Sequence, residues 1–160
     1  MQSEKSKMQS LTHNSQSTII FCDGACAGNP GPGGWACIVE QGTIRHEYSG
    51  GRARTTNNQM ELQALIEGLQ VVPAGTRVRI VTDSEYLAKG VTQWLNGWIK
   101  NGWKTASKQP VKNREQWQQL HDLLQGRPHQ VEWVRGHSGH PENERCDELA
   151  RAEIKRLLES

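Results

Sequence analysis

Hydrophobic and polar residues alternate along the chain in a pattern that predicts five strands. Each of five segments is short, rich in β-branched or apolar residues, and bounded by turn-forming residues, as strands usually are. The predicted strands are STIIFCDG, WACIVE, TIRHEYSGG, TRVRIVTDS and HQVEWVRGH. The turn-rich segment GNPGPGG separates the first two, and the third follows the second closely enough to form a hairpin. These three strands predict an antiparallel start to a sheet.

A longer period, close to that of an α-helix, marks the segments that follow. In NNQMELQALIEGLQVV the apolar residues recur at the spacing of an amphipathic helix. Further helices are predicted at EYLAKGV, at REQWQQLHDLLQG, which Gly126 closes, and at PENERCDELARAEIKRLLE, which has Pro141 near its start. The order β-β-β-α-β-α…α-β-α predicts an α/β domain whose sheet is part antiparallel and part parallel.

Composition sets limits on this picture. The chain has 160 residues, enough for one domain with a sizeable core, and a mean hydropathy of −0.74. Residues 1–16 carry mixed charges without the apolar segment of an export signal, so we predict a disordered N-terminal tail and a single domain over residues 17–160. No apolar run reaches about 18 residues, the length that a membrane span needs. We therefore expect a cytoplasmic monomer with reduced cysteines and no membrane partner.

Four acidic residues stand where a sheet of this kind brings side chains together. Asp23 and Asp83 are predicted at the carboxyl ends of hydrophobic strands, Glu61 on the helix between them, and Asp147 on the last helix. Binding sites in open α/β sheets form outside those strand ends. Carboxylates that converge there repel one another, and a hard divalent cation such as magnesium relieves the repulsion. Each acid alone also fits an ordinary turn or helix-cap role.

A basic segment with several tryptophans follows the fourth strand. No acidic residue lies between Glu85 and Glu115. The cations and rings in that interval are Lys89, Lys100, Lys104, Lys108, Lys112, Arg114, Trp94, Trp98 and Trp103. Cations interleaved with aromatic rings favour nucleic acid as a partner. The alternative is a solvated basic helix whose tryptophans turn into the core.

Four motifs together carry a family resemblance. The segments FCDGACAGNPGPGGWA, TTNNQMEL, VTDSEY and GHSGHPENERCDELA, in this order, resemble the type 1 ribonuclease H family in its bacterial form. The tryptophan-rich basic segment is similar to that family's basic protrusion, and the match spans roughly Ser17 to Ala152. The resemblance implies a ribonuclease H-like fold with a mixed five-stranded sheet, three antiparallel strands and then parallel ones, flanked by helices. It also implies endonucleolytic hydrolysis of the RNA strand of RNA/DNA hybrids, which leaves 5′-phosphate and 3′-hydroxyl ends.

The resemblance also implies roles for particular residues. Asp23, Glu61, Asp83 and Asp147 match the family's metal-binding and catalytic acids, which use one or two magnesium ions, with manganese as a possible substitute. His137 matches a loop histidine that assists proton transfer or product release. Gly136 and Gly139 flank its loop and allow it to move, and the ordinary pKa of histidine lies near neutral pH.

Substrate contacts are implied in the same way. The matching residues are Asn29, Asn57 and Asn58 for the hybrid, Arg54, Thr56 and Asn113 for a DNA-strand phosphate, and Trp94, Trp98, Lys100 and Lys104 for the DNA-strand groove. Gly28 has no side chain, so the turn around it is able to approach a ribose closely. Glu85 departs from the family, whose bacterial members commonly have glutamine there. An ionised carboxylate cannot donate a hydrogen bond, so this contact is lost or reversed in polarity.

Three other interpretations stay open at this point. A catalytically silent module that binds RNA/DNA hybrids would keep the basic groove and lose one of the acids. Another nuclease of similar architecture, such as a transposase, integrase or junction-resolving enzyme, would share the strand-end acids but not TTNNQMEL together with the basic protrusion. An α/β domain with incidental charge is the third interpretation.

Overall fold

A mixed five-stranded sheet forms the centre of the molecule in a computed structural model that describes residues 18–136 and 140–160. The strands are β1 (Thr18–Cys26), β2 (Gly31–Gln41), β3 (Ile44–Thr55), β4 (Val78–Thr82) and β5 (His129–Trp133). Their order in the sheet is β3-β2-β1-β4-β5. β1 and β2 pair antiparallel, as do β2 and β3, whereas β4 pairs parallel with both β1 and β5. The predicted α/β sheet is confirmed.

Four of the five helices among the described residues lie where the sequence predicts one, and the helix within the tryptophan-rich basic segment was not predicted. They are α1 (Asn57–Gln70), α2 (Glu85–Lys89), α3 (Leu95–Lys100), α4 (Arg114–Leu124) and α5 (Pro141–Glu159). A π-helical stretch, Gly90–Trp94, joins α2 to α3, where the sequence predicted only one short helix. None of these helices, within the described residues, is both long and apolar enough to cross a membrane.

Two apolar clusters cover the two faces of the sheet. One cluster packs α1 and α4 against the sheet and includes Ile20, Leu62, Leu65, Ile80 and Trp117, all fully buried. The other lies under α5 and includes Phe21, Ile38, Val81, Cys146 and Ala150. Since successive residues of a strand point to opposite faces, neighbours on β1 belong to different clusters. Cys22 accordingly packs with the α1 side.

The carboxyl end of β1 differs from its prediction. The sequence placed Asp23 at the end of the strand and treated GNPGPGG as a break, but β1 continues to Cys26 and β2 already begins at Gly31. The two strands remain paired as far as Cys26 and Gly33. The parallel pairing of β1 with β4 ends earlier, at Cys22 and Thr82. Asp23 therefore lies within β1 but just beyond its parallel ladder, beside the end of β4.

Candidate active site

Three carboxylates converge beyond the parallel ladder. Asp23 on β1, Glu61 on α1 and Asp83 directly after β4 each offer a carboxylate oxygen, and these oxygens lie within 4.8 Å of one another. Asp23 and Glu61 are only 5% and 4% exposed, whereas Asp83 is half-buried. The convergence that the sequence predicted thus holds for these three acids.

A glycine allows α1 to come this close to β1. A Cβ atom built on Gly24 would lie 2.5 Å from the backbone nitrogen of Glu61, a distance that real Cβ atoms do not show. Any side chain at this position would push the helix away from the strand. Gly24 therefore permits the approach that brings Glu61 beside Asp23. Sequence analysis missed this role, although a glycine directly after a strand aspartate is a signal of close backbone approach.

Burial and mutual repulsion dominate the electrostatics of the trio. Burial, then the negative charges of Asp83 and Asp147, raise the pKa of Asp23 from 3.8 to about 8, although the backbone N–H of Gly24 donates a hydrogen bond to its Oδ1. Burial, then Asp23 and Asp83, also raise the pKa of Glu61 well above its ordinary value. Both shifts mean that the ionised trio is costly without a counter-charge.

The oxygen chemistry of the trio fits a hard divalent cation. The buried Oε1 of Glu61 has no hydrogen-bond partner among the described residues. A buried polar atom without a partner is unfavourable, and a cation among three carboxylates would satisfy it. Asp23, Glu61 and Asp83 are therefore the residues able to hold such an ion.

The fourth acid, Asp147, lies outside this group. Its carboxylate accepts a hydrogen bond from Arg151, one helical turn further along α5, at 2.5 Å. Asp147 is nevertheless near enough for its charge to raise the pKa of Asp23. The structure thus joins three of the four predicted acids directly and holds the fourth beside them in an ion pair.

Two contacts of Asp83 were not predicted from the sequence. The indole nitrogen of Trp133, at the end of β5, donates a hydrogen bond to the backbone oxygen of Asp83 at 3.1 Å. A Cβ atom built on Gly136 would lie 3.2 Å from Oδ2 of Asp83, so the backbone at Gly136 passes close to the carboxylate. His137 lies outside the described residues, and its catalytic role stays a prediction.

The predicted turn residues lie next to the start of α1. Gly28 has a φ of +92°, a left-handed conformation that favours glycine. The side-chain oxygen of Asn29 accepts a hydrogen bond from the backbone N–H of Asn57 at 3.1 Å. Asn57 and Asn58 are exposed in the first turn of α1. The turn and the helix start therefore form one polar surface.

The three predicted phosphate-binding residues come from separate elements. Arg54 is exposed near the end of β3, Thr56 caps the start of α1, and Asn113 precedes α4 in a left-handed conformation with φ 59°. Gln59, which sequence analysis did not identify, hydrogen-bonds to both Thr56 and Asn113. No motif marks a glutamine for such a role.

The basic protrusion is anchored by its tryptophans. Trp94 and Trp98 are half-buried, with ring centroids 5.7 Å apart, and Trp98 packs edge-on against the buried Trp117 at 5.3 Å. Lys100 and Lys104 are exposed, as expected for a groove rim. The rings therefore take part in packing and keep part of their surface exposed, and their contact with nucleic acid stays a prediction.

Glu85, the residue that departs from the family pattern, is the first residue of α2. Its side chain is 65% exposed, and its carboxylate lies 3.9 Å from the ammonium of Lys89. This residue therefore adds a solvated negative charge two positions after Asp83.

Comparison with known proteins gives consistent matches. The family model described as RNase H matches residues 15–155. The chain is 54% identical over 134 residues to a Ribonuclease H of Bradyrhizobium sp. (strain ORS 278), covering 82% of this chain and 86% of that protein. It is also 54% identical over 138 residues to a Ribonuclease H of Geotalea uraniireducens, covering 85% and 92%.

Solved structures agree with these matches. LC9-RNase H1, described as a type 1 RNase H with the type 2 active-site motif, superimposes with a TM-score of 0.79 at 30% identity, over 89% of this chain and 74% of that one. RNase H1 from the halophilic archaeon Halobacterium salinarum superimposes with a TM-score of 0.67 at 27% identity, over 88% and 98%. The overall fold is thus shared with both proteins.

Proposed function

Because the chain belongs to the ribonuclease H family, it is an endonuclease that hydrolyses the RNA strand of RNA/DNA hybrids, and we propose that magnesium held by Asp23, Glu61 and Asp83 supports this reaction. The close approach of the three carboxylates, within 4.8 Å, is the observation that carries the proposal. All three donors are hard oxygen atoms, which suit magnesium, and manganese is the expected substitute. Asp147 is proposed as a fourth ligand or as an acid that orients one.

The reaction needs a nucleophile, a leaving group and proton transfer. When bound, a divalent ion stabilises charge on the attacking and leaving oxygens of a phosphodiester. Water attacks the phosphorus, the bond to the 3′ oxygen breaks, and that oxygen takes a proton to become the 3′-hydroxyl. The phosphate stays on the 5′ side. We propose that His137 moves a proton at one of these oxygens, because histidine exchanges protons near neutral pH.

Selection of RNA for cleavage rests on the 2′-hydroxyl, which both donates and accepts hydrogen bonds. Glu61 and the turn around Gly28 are proposed to contact it. The link from the N–H of Asn57 to Asn29 supports this proposal, because it holds the turn beside the helix that carries Glu61. On the other strand, Arg54, Thr56 and Asn113 are proposed to bind a DNA phosphate, which positions the duplex by backbone shape rather than base identity.

The proposed function also implies a partner, an oligomeric state and a compartment. The hybrid duplex is the proposed partner, bound by a monomer in the cytoplasm through the single catalytic domain predicted over residues 17–160. The four cysteines are free thiols, which supports a reducing compartment.

Four end-labelled duplexes test the proposed function: RNA/DNA, RNA/RNA, DNA/DNA, and DNA with one ribonucleotide. Each is incubated with magnesium, with EDTA, with an Asp23→Asn variant, and with Asp122→Asn as a matched control at an exposed position on α4. We expect cleavage of the RNA strand in the hybrid alone, lost with EDTA and with Asp23→Asn but retained by the control. Binding of the hybrid without cleavage would favour the silent binding module instead.

A further inference from the structure

Gln59 occupies a central position in the first turn of α1. Its Oε1 accepts a hydrogen bond from Thr55 at 2.8 Å, and its backbone N–H donates to Oγ1 of Thr56 at 3.2 Å. Its Nε2 donates to Oδ1 of Asn113 at 3.3 Å, and its backbone oxygen accepts from Gln116 at 3.0 Å. The half-buried side chain therefore has hydrogen bonds at both ends.

These bonds join two residues that the fold brings together from distant parts of the sequence. Thr56 lies at the end of the β3–α1 connection, and Asn113 lies before α4, 54 positions beyond Gln59. Their separation in space is not fixed by local backbone geometry. The backbone N–H of Gln59 binds Thr56, and its side-chain amide binds Asn113, so the Gln59 side chain sets the distance of Asn113 from the start of α1.

A second support holds Asn113 from the opposite side. Its Nδ2 donates a hydrogen bond to the hydroxyl of Tyr86 at 3.1 Å. The same hydroxyl accepts a hydrogen bond from the indole of the buried Trp117 at 2.9 Å, which fixes it in place. With Oδ1 bound to Gln59 and Nδ2 bound to Tyr86, the amide plane of Asn113 has one orientation.

The groups left over include free hydrogen-bond donors. The Oγ1 of Thr56 already accepts a bond from Gln59, so its hydroxyl proton is available to another acceptor. The Nδ2 of Asn113 keeps a second hydrogen, and Arg54 adds an exposed positive charge nearby in the chain. The first turn of α1 has no acidic residue, so the positive end of the helix dipole is not neutralised there. This combination suits one anionic group.

We infer that Gln59 is a positioning residue for the DNA-strand phosphate pocket, acting through Thr56 and Asn113, with Tyr86 as the second support. This inference rests on the proposed function, because the pocket itself is part of that proposal. Without Gln59 the two donors keep their chemistry but lose their fixed spacing. The loss then affects binding of the hybrid and not the chemical step.

Replacement of Gln59 by methionine tests the inference, because methionine has a similar length but no amide. Gln63→Met is the matched control, since Gln63 lies one turn further along α1 and hydrogen-bonds to Gln116 and Glu67. With Gln59→Met we expect KM for the hybrid to rise about fivefold, equivalent to about 1 kcal/mol, while kcat stays unchanged. The control is expected to retain the KM of the parent protein.

A phosphate scan identifies the contact directly. Hybrids that carry one neutral methylphosphonate at successive positions of the DNA strand are cleaved by the parent protein, by both glutamine variants and by Tyr86→Phe. The parent and Gln63→Met are expected to show one sensitive position. Gln59→Met and Tyr86→Phe are expected to lose that sensitivity. A thermal melt shows whether Gln59→Met folds. If it does not, Tyr86→Phe still tests the inference.

The remaining outcomes separate this inference from the proposed function. An unchanged KM, a loss confined to kcat, or an intact sensitive position in Gln59→Met and Tyr86→Phe would overturn the positioning role. If the parent protein cleaves the hybrid and no methylphosphonate position affects cleavage, the phosphate pocket and this inference are both wrong, but the proposed activity is not. Failure of the parent protein to cleave the hybrid would overturn the proposed function itself.

Discussion

Gly90 packs directly against the indole ring of Trp117. A Cβ atom built on Gly90 would lie 2.0 Å from the ring carbon Cη2, closer than any real contact allows. Gly90 is also the first residue of the π-helical stretch that leads to Trp94. Trp117 in turn contacts the rings of Tyr86 and Trp98. The absence of a side chain at Gly90 therefore lets the basic protrusion lie on the core.

Substitution Gly90→Ala is expected to destabilise the protein by about 1–3 kcal/mol, because the added methyl group overlaps a ring that is fixed on all sides. Gly97→Ala on α3 is the matched control, since a Cβ there meets nothing within 4 Å. Alanine is a better helix former than glycine, so the control is expected to leave stability unchanged or raise it slightly. Urea unfolding measures both, and equal midpoints for the two variants would contradict the close packing.

The carboxylate trio should make the protein less stable without metal than its neutral variant. In EDTA above about pH 8, where Asp23 has lost its proton, Asp23→Asn removes one of the converging negative charges. We expect its Tm to exceed that of the parent by about 2–4 °C for each kcal/mol of repulsion removed. Magnesium should raise the Tm of the parent more than that of the variant, because it binds the intact trio better. The exposed Asp122→Asn variant should follow the parent in both conditions, and equal magnesium responses of parent and Asp23→Asn would argue against this site.

Stability in EDTA should depend on pH through Asp23. Its pKa is 3.8 in the reference state and about 8 in the fold, so between these values the folded state binds more protons than the unfolded chain. Stability from this group is therefore fully present below about pH 4 and is lost as the pH rises through about 8. The Tm difference between Asp23→Asn and the parent should grow over that range. A difference that stays constant with pH would contradict the raised pKa.

A buried arginine fixes the loops at the opposite end of the sheet. Arg127 is only 5% exposed and donates hydrogen bonds to the backbone oxygens of Leu123, Thr76 and Val72 at 3.1, 3.2 and 3.4 Å. Arg127→Met leaves these acceptors without their donor and is expected to cost about 2–4 kcal/mol. The exposed Arg77→Met removes the same charge and should change stability by less than about 0.5 kcal/mol. Similar losses in both variants would indicate a general charge effect instead.

The exposed charge at Glu85 should weaken binding of the polyanionic hybrid. We expect Glu85→Gln to lower KM about two- to fivefold at low salt, with a smaller effect at high salt, because a negative charge near the duplex is removed. Stability should hardly change, since the ion pair with Lys89 is solvated. Glu159→Gln, at the far end of α5 from Asp147, controls for net charge. A raised KM in Glu85→Gln would mean that the carboxylate accepts a useful hydrogen bond.

Much of the fold was predictable, because each strand and every helix except α3 carries a recognisable hydrophobic pattern. The acids Asp23, Glu61 and Asp83 were also predictable, since the fold class places such positions at one sheet edge. The length of β1 was not, because the paired segment beyond Asp23 is rich in glycine and proline and has the composition of a turn. The π-helical stretch was equally hidden, since it depends on the fit between Gly90 and Trp117.

Other parts of the site depend on contacts that no local pattern encodes. Gln59 gains its role only because Asn113 comes close in space, and a half-buried glutamine on a helix is otherwise unremarkable in sequence. The contact of Trp133 could not be predicted either. Its indole donates a hydrogen bond to the backbone oxygen of Asp83, and every residue has such an oxygen. The ion pair of Asp147 with Arg151 has the spacing of one helical turn, a pattern that many surface pairs share.

The topology of the sheet also determines when the active-site carboxylates can meet during synthesis of the chain. β1 pairs parallel with β4, so Asp23 and Asp83 meet only after α1 has been made and the crossover has closed. Asp147 follows on α5, the last helix of the order. Contacts between such distant segments form late and slowly. In a nascent chain, Asp23, Glu61 and Asp83 therefore cannot come together until β4 and the residue that follows it have left the ribosome.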